Sequence, residues 1–134
     1  MKWLLKSDPD TYSFNDLERD GQTRWDGVSN NLALRHIRSM HPGDTALVYH
    51  TGDEKAIVGL AEIRSEPYTD PKQNDPRLVV IDLKAGSRLK RPVTLAEVKQ
   101  QPDLKDFPLV RMPRLSVMPV SDAQWKTLMS LAKA

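Results

Sequence analysis

The sequence predicts an α+β fold: a small, mostly antiparallel sheet curled into a β-barrel, with helices on its flanks. Three observations carry this. Strand-like segments come in runs, not in regular alternation with helices, which argues against a parallel βαβ layout. Ten prolines and six glycines are spread as punctuation between short segments, as turns between strands require. The 134 residues, 39% of them hydrophobic, suffice for one core and leave little room for a second, so residues 1–134 are expected to form one domain. A sheet of five or more short strands in so small a domain tends to curl, which removes exposed edges.

Residues 2–7 read as the first strand, with Trp3 and Leu5 on one face and Leu4 on the other. Pro9 ends it, because proline lacks the donor a ladder needs. Residues 13–19 read as a short helix capped by Ser13, with Phe14 and Leu17 on one side and Gly21 closing it. Residues 23–30 read as irregular and lead into a helix over 30–41, where Ala33, Leu34, Ile37 and Met40 form an apolar stripe. Strands follow at 45–50 and 56–64; Gly59 in the second marks a bulge or a close approach. Residues 68–76 read as a polar loop and 78–83 as a strand. Thr94 caps a short helix with Glu97 in capping-box position. Residues 109–120 read as extended. Ser121 opens the last helix, whose core stripe is Trp125, Leu128, Met129 and Ala132.

Composition excludes several function classes. The chain has no cysteine, so it carries no disulfide framework, thiolate metal site or thiol nucleophile, and it fits a reducing cytoplasm. No apolar run reaches the roughly 18 residues needed to span a bilayer, and the start turns polar too early for a signal peptide. A soluble cytoplasmic protein with no membrane partner is expected. A net charge of +2 favours local contact with an anionic partner over extended coating of a duplex. Neither common glycine-rich phosphate loop occurs, and His36, His41 and His50 have no partners at metal-ligand spacing. No metal and no cofactor are expected. Nothing resembles a coiled-coil seam, and a monomer is favoured.

The informative residues are aromatic and polar side chains beside turns: Trp3, Lys6 and Ser7, then Trp25 and Asn30, then Tyr49, His50 and Thr51. A planar base presents two π-faces and a hydrogen-bonding edge. Aromatic rings stack on the faces, and Asn, Ser and backbone groups at strand ends satisfy the edge. Each residue also has a plainer reading. Trp3 and Trp25 can be core, as Trp125 is expected to be. Asn30 can be a helix cap, Ser7 can bond its own turn, and Arg35 and Arg38 can form a solvated helix face.

The chain resembles the EVE domain family, of the PUA-like superfamily that also holds YTH and ASCH domains. The resemblance rests on Trp3-Leu4-Leu5-Lys6-Ser7-Asp8-Pro9, Tyr12-Ser13-Phe14, Trp25-Asp26-Gly27-Val28-Ser29-Asn30, Met40 with Gly43-Asp44, Tyr49-His50-Thr51, Ile57-Val58-Gly59 and Arg114-Leu115-Ser116-Val117, in that order along nearly the whole chain. It implies a PUA-like barrel that recognises modified bases in DNA or RNA, with methylated or hydroxymethylated cytosine the usual suggestion. By similarity to YTH pockets, Lys6, Ser7, Trp25 and Asn30 are assigned to the base. Trp3, Val28, Tyr49, His50, Thr51, Leu115 and Ser116 are assigned to the walls and floor, and Arg35, Arg38 and Arg114 to phosphates. One departure stands out: many relatives carry arginine where this chain has Ser29, and serine cannot make an arginine's bidentate contact. The leading expectation is a non-catalytic reader of a flipped or single-stranded base. The alternatives are an enzyme using His50 as acid or base, and a protein-interaction domain built on the Trp25 loop.

Overall fold

The computed structural model describes residues 1–133. Its seven strands are β1 (Lys2–Ser7), β2 (Gln22–Trp25), β3 (Thr45–His50), β4 (Ala56–Ile63), β5 (Tyr68–Thr69), β6 (Val79–Thr94) and β7 (Val117–Val120). The α-helices are α1 (Phe14–Asp20), α2 (Asn31–Arg38), α3 (Leu95–Lys99), α4 (Pro108–Arg111) and α5 (Asp122–Lys133), with one 3₁₀ turn at Pro102–Leu104.

The sheet runs β2-β6-β4-β3-β1-β7, with β5 paired to β6. Only β1 and β3 pair in parallel; the other ladders are antiparallel. The α+β class therefore holds, but the closed barrel does not. β2 and β7 stand at opposite ends of the strand order and do not pair. Helix α2 packs against both β6 and β7, so a helix covers the place where a closing strand would lie. Its side toward the sheet is the expected apolar stripe: Ala33, Leu34 and Ile37, followed by Met40 just past its end, are fully buried. The helix stops at Arg38 and does not reach residue 41; Ser39 and Met40 close it with tight bonds to His36 and Ile37.

Caps fall where the sequence puts them. Ser13 Oγ accepts from Asp16 N at 3.1 Å while Asp16 returns a carboxylate to Ser13 N at 2.9 Å. Thr94 and Glu97 form the same reciprocal box, as do Ser121 and Gln124. Gly59 is a close approach: an added Cβ would lie 2.4 Å from the Phe14 ring, and the β4–β6 register shifts on both sides of it. That contact seats α1 on the sheet.

Four segments differ from expectation. Residues 68–69, read within a polar loop, form the short strand β5 against β6. Residues 23–25, read as irregular, fall in edge strand β2 (Gln22–Trp25). β6 runs on to Thr94 through Pro92, because the step from Ile57 to Gly59 faces the longer stretch from Val93 back to Arg88. Proline sits in that bulge, where no regular ladder bond is required. Residues 109–111, read as extended, fall in a helical turn led by Pro108, whose missing N–H costs nothing at a first helical position. Trp125, expected in the core, is half-buried beneath Lys2, whose Nζ lies 5.3 Å from the ring centroid. Among the described residues, no helix is long and apolar enough to cross a membrane, and no three His, Asp or Glu side chains are grouped to hold a metal.

Candidate nucleic-acid interface

Two cavities of about 460 Å³ each open at one end of the sheet. The first lies where β1 and β2 end. Its lining comes from Lys6, Ser7 and Asp8 at the end of β1, from Thr11 and Tyr12 ahead of α1, from Thr23 to Val28, and from Ser116. The second is lined by Asn30 and Leu32 at the start of α2 and by residues 111–115. The same two stretches of chain, 23–32 and 111–116, thus wall both.

Trp25 ends β2 with 7% of its surface exposed, on the first cavity. Tyr12 meets it edge-on, with ring centroids 6.4 Å apart and planes at 82°. The pair therefore offers a corner, one face and one edge, and not two parallel walls. Tyr12 is held by its hydroxyl, which donates to Asp20 at 2.8 Å, and burial raises its phenol above the usual range. The Ser7 hydroxyl donates to the Tyr12 carbonyl. Its proton is thereby occupied, and its lone pairs are left as acceptors.

Lys6 Nζ donates to Pro113 O at 2.8 Å and lies 5.8 Å from the Tyr49 ring centroid. This links a residue of the first cavity to one of the second. Burial holds the Lys6 ammonium below the usual lysine range. Thr51 pins the end of β1 from behind, its N–H donating to Ser7 O at 2.9 Å.

The assigned residues thus divide into groups. Lys6, Ser7, Trp25, Val28 and Ser116 share the first cavity. Asn30, Arg114 and Leu115 line the second; Asn30 is also the α2 cap, its Oδ1 accepting from Ala33 N at 3.0 Å. Tyr49 and Thr51 line neither cavity and act behind Lys6 and Ser7. Trp3 also lines neither. It is 2% exposed, its indole N–H donating to Asp44 Oδ2 at 3.0 Å. Arg35 and Arg38 lie outside both cavities, and Arg38 donates to Arg77 O at 2.8 Å. Arg77 reaches the Trp25 loop itself, bonding Ser29 O at 2.8 Å and Asn31 Oδ1 at 2.7 Å.

His50 is 6% exposed and lines neither cavity. Its Nε2 lies 2.9 Å from Phe14 N, a backbone amide that can only donate. The imidazole proton therefore sits on Nδ1, 2.8 Å from Glu54 Oε1. Both ring nitrogens are engaged, Nε2 by the start of α1 and Nδ1 by Glu54, and neither is free to serve as base toward the cavity.

Tyr12, Thr23, Arg24 and Gly27 line the first cavity although the sequence reading assigned them no role. A period-two reading of residues 22–25 would have placed Thr23 beside Trp25 on one face.

The EVE domain family matches residues 1–131. The chain belongs to the EVE domain family. A solved Rhodopseudomonas palustris protein is 41% identical, with a TM-score of 0.93 over 98% of this chain and 92% of that one. Human thymocyte nuclear protein 1 is 29% identical over 96% of this chain and 72% of its own length. A crystal structure of human THYN1 in complex with 5-methylcytosine-containing DNA superposes with a TM-score of 0.91, covering 99% of this chain and 98% of that one. An ASCH structure from Zymomonas mobilis, 12% identical with a TM-score of 0.60, shares the fold.

Proposed function

We propose that this EVE domain is a non-catalytic reader that holds one modified base of DNA or RNA in the first cavity. The observation that carries the reading is the meeting of Trp25, Ser7 and Val28 on one cavity, in a family with a member captured on 5-methylcytosine DNA. About 460 Å³ lies within the roughly 300–1,000 Å³ range of small-molecule sites. The base stacks on the Trp25 indole, with the Tyr12 edge closing the corner. Ser7 Oγ, already donating to Tyr12, accepts from an exocyclic amine such as that of cytosine. Half-buried Val28 gives a methyl substituent an apolar neighbour. The edge-reading role first assigned to Asn30 passes to Ser7 and Ser116, which share the cavity with Trp25.

A base enters such a site only after leaving its stack, so the partner is a flipped or single-stranded nucleotide. Every wall comes from one chain, so a monomer suffices. The cysteine-free composition fits the reducing cytoplasm, the compartment we assign.

The test is Trp25→Ala against short single strands carrying 5-methylcytosine or cytosine. Stacking on an aromatic ring is worth about 1–3 kcal/mol per base, so affinity is expected to fall by roughly fivefold to a hundredfold or more while the domain keeps its native circular dichroism. Undiminished affinity in the folded variant sinks the assignment. Capture of a protein partner that persists after nuclease treatment and needs Trp25 favours the interaction-domain reading instead.

A further inference from the structure

We propose that the second cavity holds the nucleotide adjoining the captured base, so that the protein reads two consecutive nucleotides. The proposal rests on the base-reader reading and extends it to a site with its own chemistry.

The two cavities differ in charge. The first is lined by Lys6 and Arg24 against Asp8 and Asp26, two cations and two carboxylates. The second is lined by Arg111 and Arg114 with no carboxylate. A base is neutral and a phosphodiester carries one negative charge, so the neutral cavity suits the base and the cationic one the linkage beside it. Arg111 is paired to Asp106 at 2.9 Å. Arg114 has no ion pair or side-chain hydrogen bond among the described residues and is exposed.

The second cavity also has an unspent apolar surface. Among the described residues, Met1 and Met112 are the large apolar side chains left exposed, Met112 at 42%. Met112 stands with Leu32 and Leu115 on this cavity. A flexible thioether beside two leucines gives the flat face of a base or sugar an adaptable contact.

The two cavities adjoin along the chain. Leu115 lines the second cavity and Ser116 the first. Because residues of one continuous segment line both openings, a strand leaving the first reaches the second over residues 115–116. Lys6, bonded to Pro113 O, stands at that crossing with its ammonium toward the linkage.

The experiment compares the 5-methyl-2′-deoxycytidine nucleoside with single-stranded dinucleotides and tetranucleotides that extend it on either side, for the wild type, Arg114→Ala and Met112→Ser. In the wild type, extension on one side is expected to strengthen binding about tenfold or more, from one phosphate and one added contact. In each variant the ratio of extended to nucleoside affinity drops several-fold. Arg114→Ala also lowers the slope of log affinity against log salt by about 0.7, one phosphate's share for a single strand. A ratio and slope equal to wild type in both variants overturn the subsite while leaving the Trp25 cavity standing. Oligonucleotide binding that needs Arg114 and Met112 but not Trp25 keeps the subsite and removes the base-reader reading. No binding of any extended strand by the folded wild type overturns both.

Discussion

Trp3 lies on β1, between β3 on one side and β7 on the other, whereas Trp25 ends β2, which pairs with β6 alone. Both residues open with the same chemistry: a large apolar ring with one donor. On the central strand the ring is enclosed from all sides, and its N–H is satisfied by Asp44, forty-one residues away. On the edge strand the chain turns into the Asp26–Gly27 loop directly after the ring, and a cavity forms against it. Strand position, not residue type, separates a core tryptophan from a candidate stacking platform.

The largest effect is expected from Trp3→Ala. Removing a fully enclosed tryptophan costs about 3–5 kcal/mol, and here it also strips a donor from a buried carboxylate. Urea unfolding should show a loss of that size. Trp25→Ala, whose ring is packed in the core on one side but borders the first cavity, should lose less. Equal losses would erase the distinction between the two sites.

The elements legible in the sequence are those set by local chemistry. Ser13, Asn30, Thr94 and Ser121 cap helices because their partners lie three residues on. β1 and β3 match their expected bounds, and Gly59 is the close approach its place in a strand implied. What stayed hidden depends on distant chain. β2 exists through pairing with residues near position 82. β6 passes Pro92 through a bulge that only its partner strand reveals. Ser7 and Trp25 were placed in one site by resemblance, and they do share a cavity. Asn30 was placed there too, but the 111–116 segment divides the opening and leaves it next door. Arg77, which bonds the loop carrying Ser29, left no local mark at all.

A middle-sized effect tests how Trp3 is fixed. Burial alone would push the Asp44 carboxyl up. Donation from the Trp3 indole, from His41 N–H at 3.0 Å and from the amino terminus at 3.0 Å more than offsets it and holds the pKa below the usual range. A carboxylate depressed in the folded state adds stability that is present above its unfolded value, about 3.9. That stability is lost as pH falls through the lower folded value. Asp44→Asn should therefore cost about 1–3 kcal/mol at neutral pH and flatten the acid side of the stability profile. An unaltered acid limb would show that the indole is held by packing alone.

The smallest effect probes the Trp25 side through Lys6, and its sign is opposite. Burial lowers the Lys6 ammonium, and its bonded partner is a carbonyl, not a carboxylate. The unfolded chain holds that proton more tightly, so keeping Lys6 charged weighs against folding at neutral pH. The burden lifts as pH rises through the lowered folded value toward the ordinary one of about 10.4. An anionic strand reverses the balance, because a phosphate near Nζ favours the charged form. Binding should then take up protons as pH nears the lowered folded value, and affinity should weaken as pH rises through it, earlier than a free lysine would titrate. A strand of cytosine and adenine keeps the bases themselves from titrating there. Lys6→Ala should lower neutral-pH affinity by about fivefold, near 1 kcal/mol, and remove this pH dependence. If the variant keeps the wild-type slope, the ammonium does not face the bound strand. Lys6 then joins Tyr49 and Thr51 as support behind the cavity.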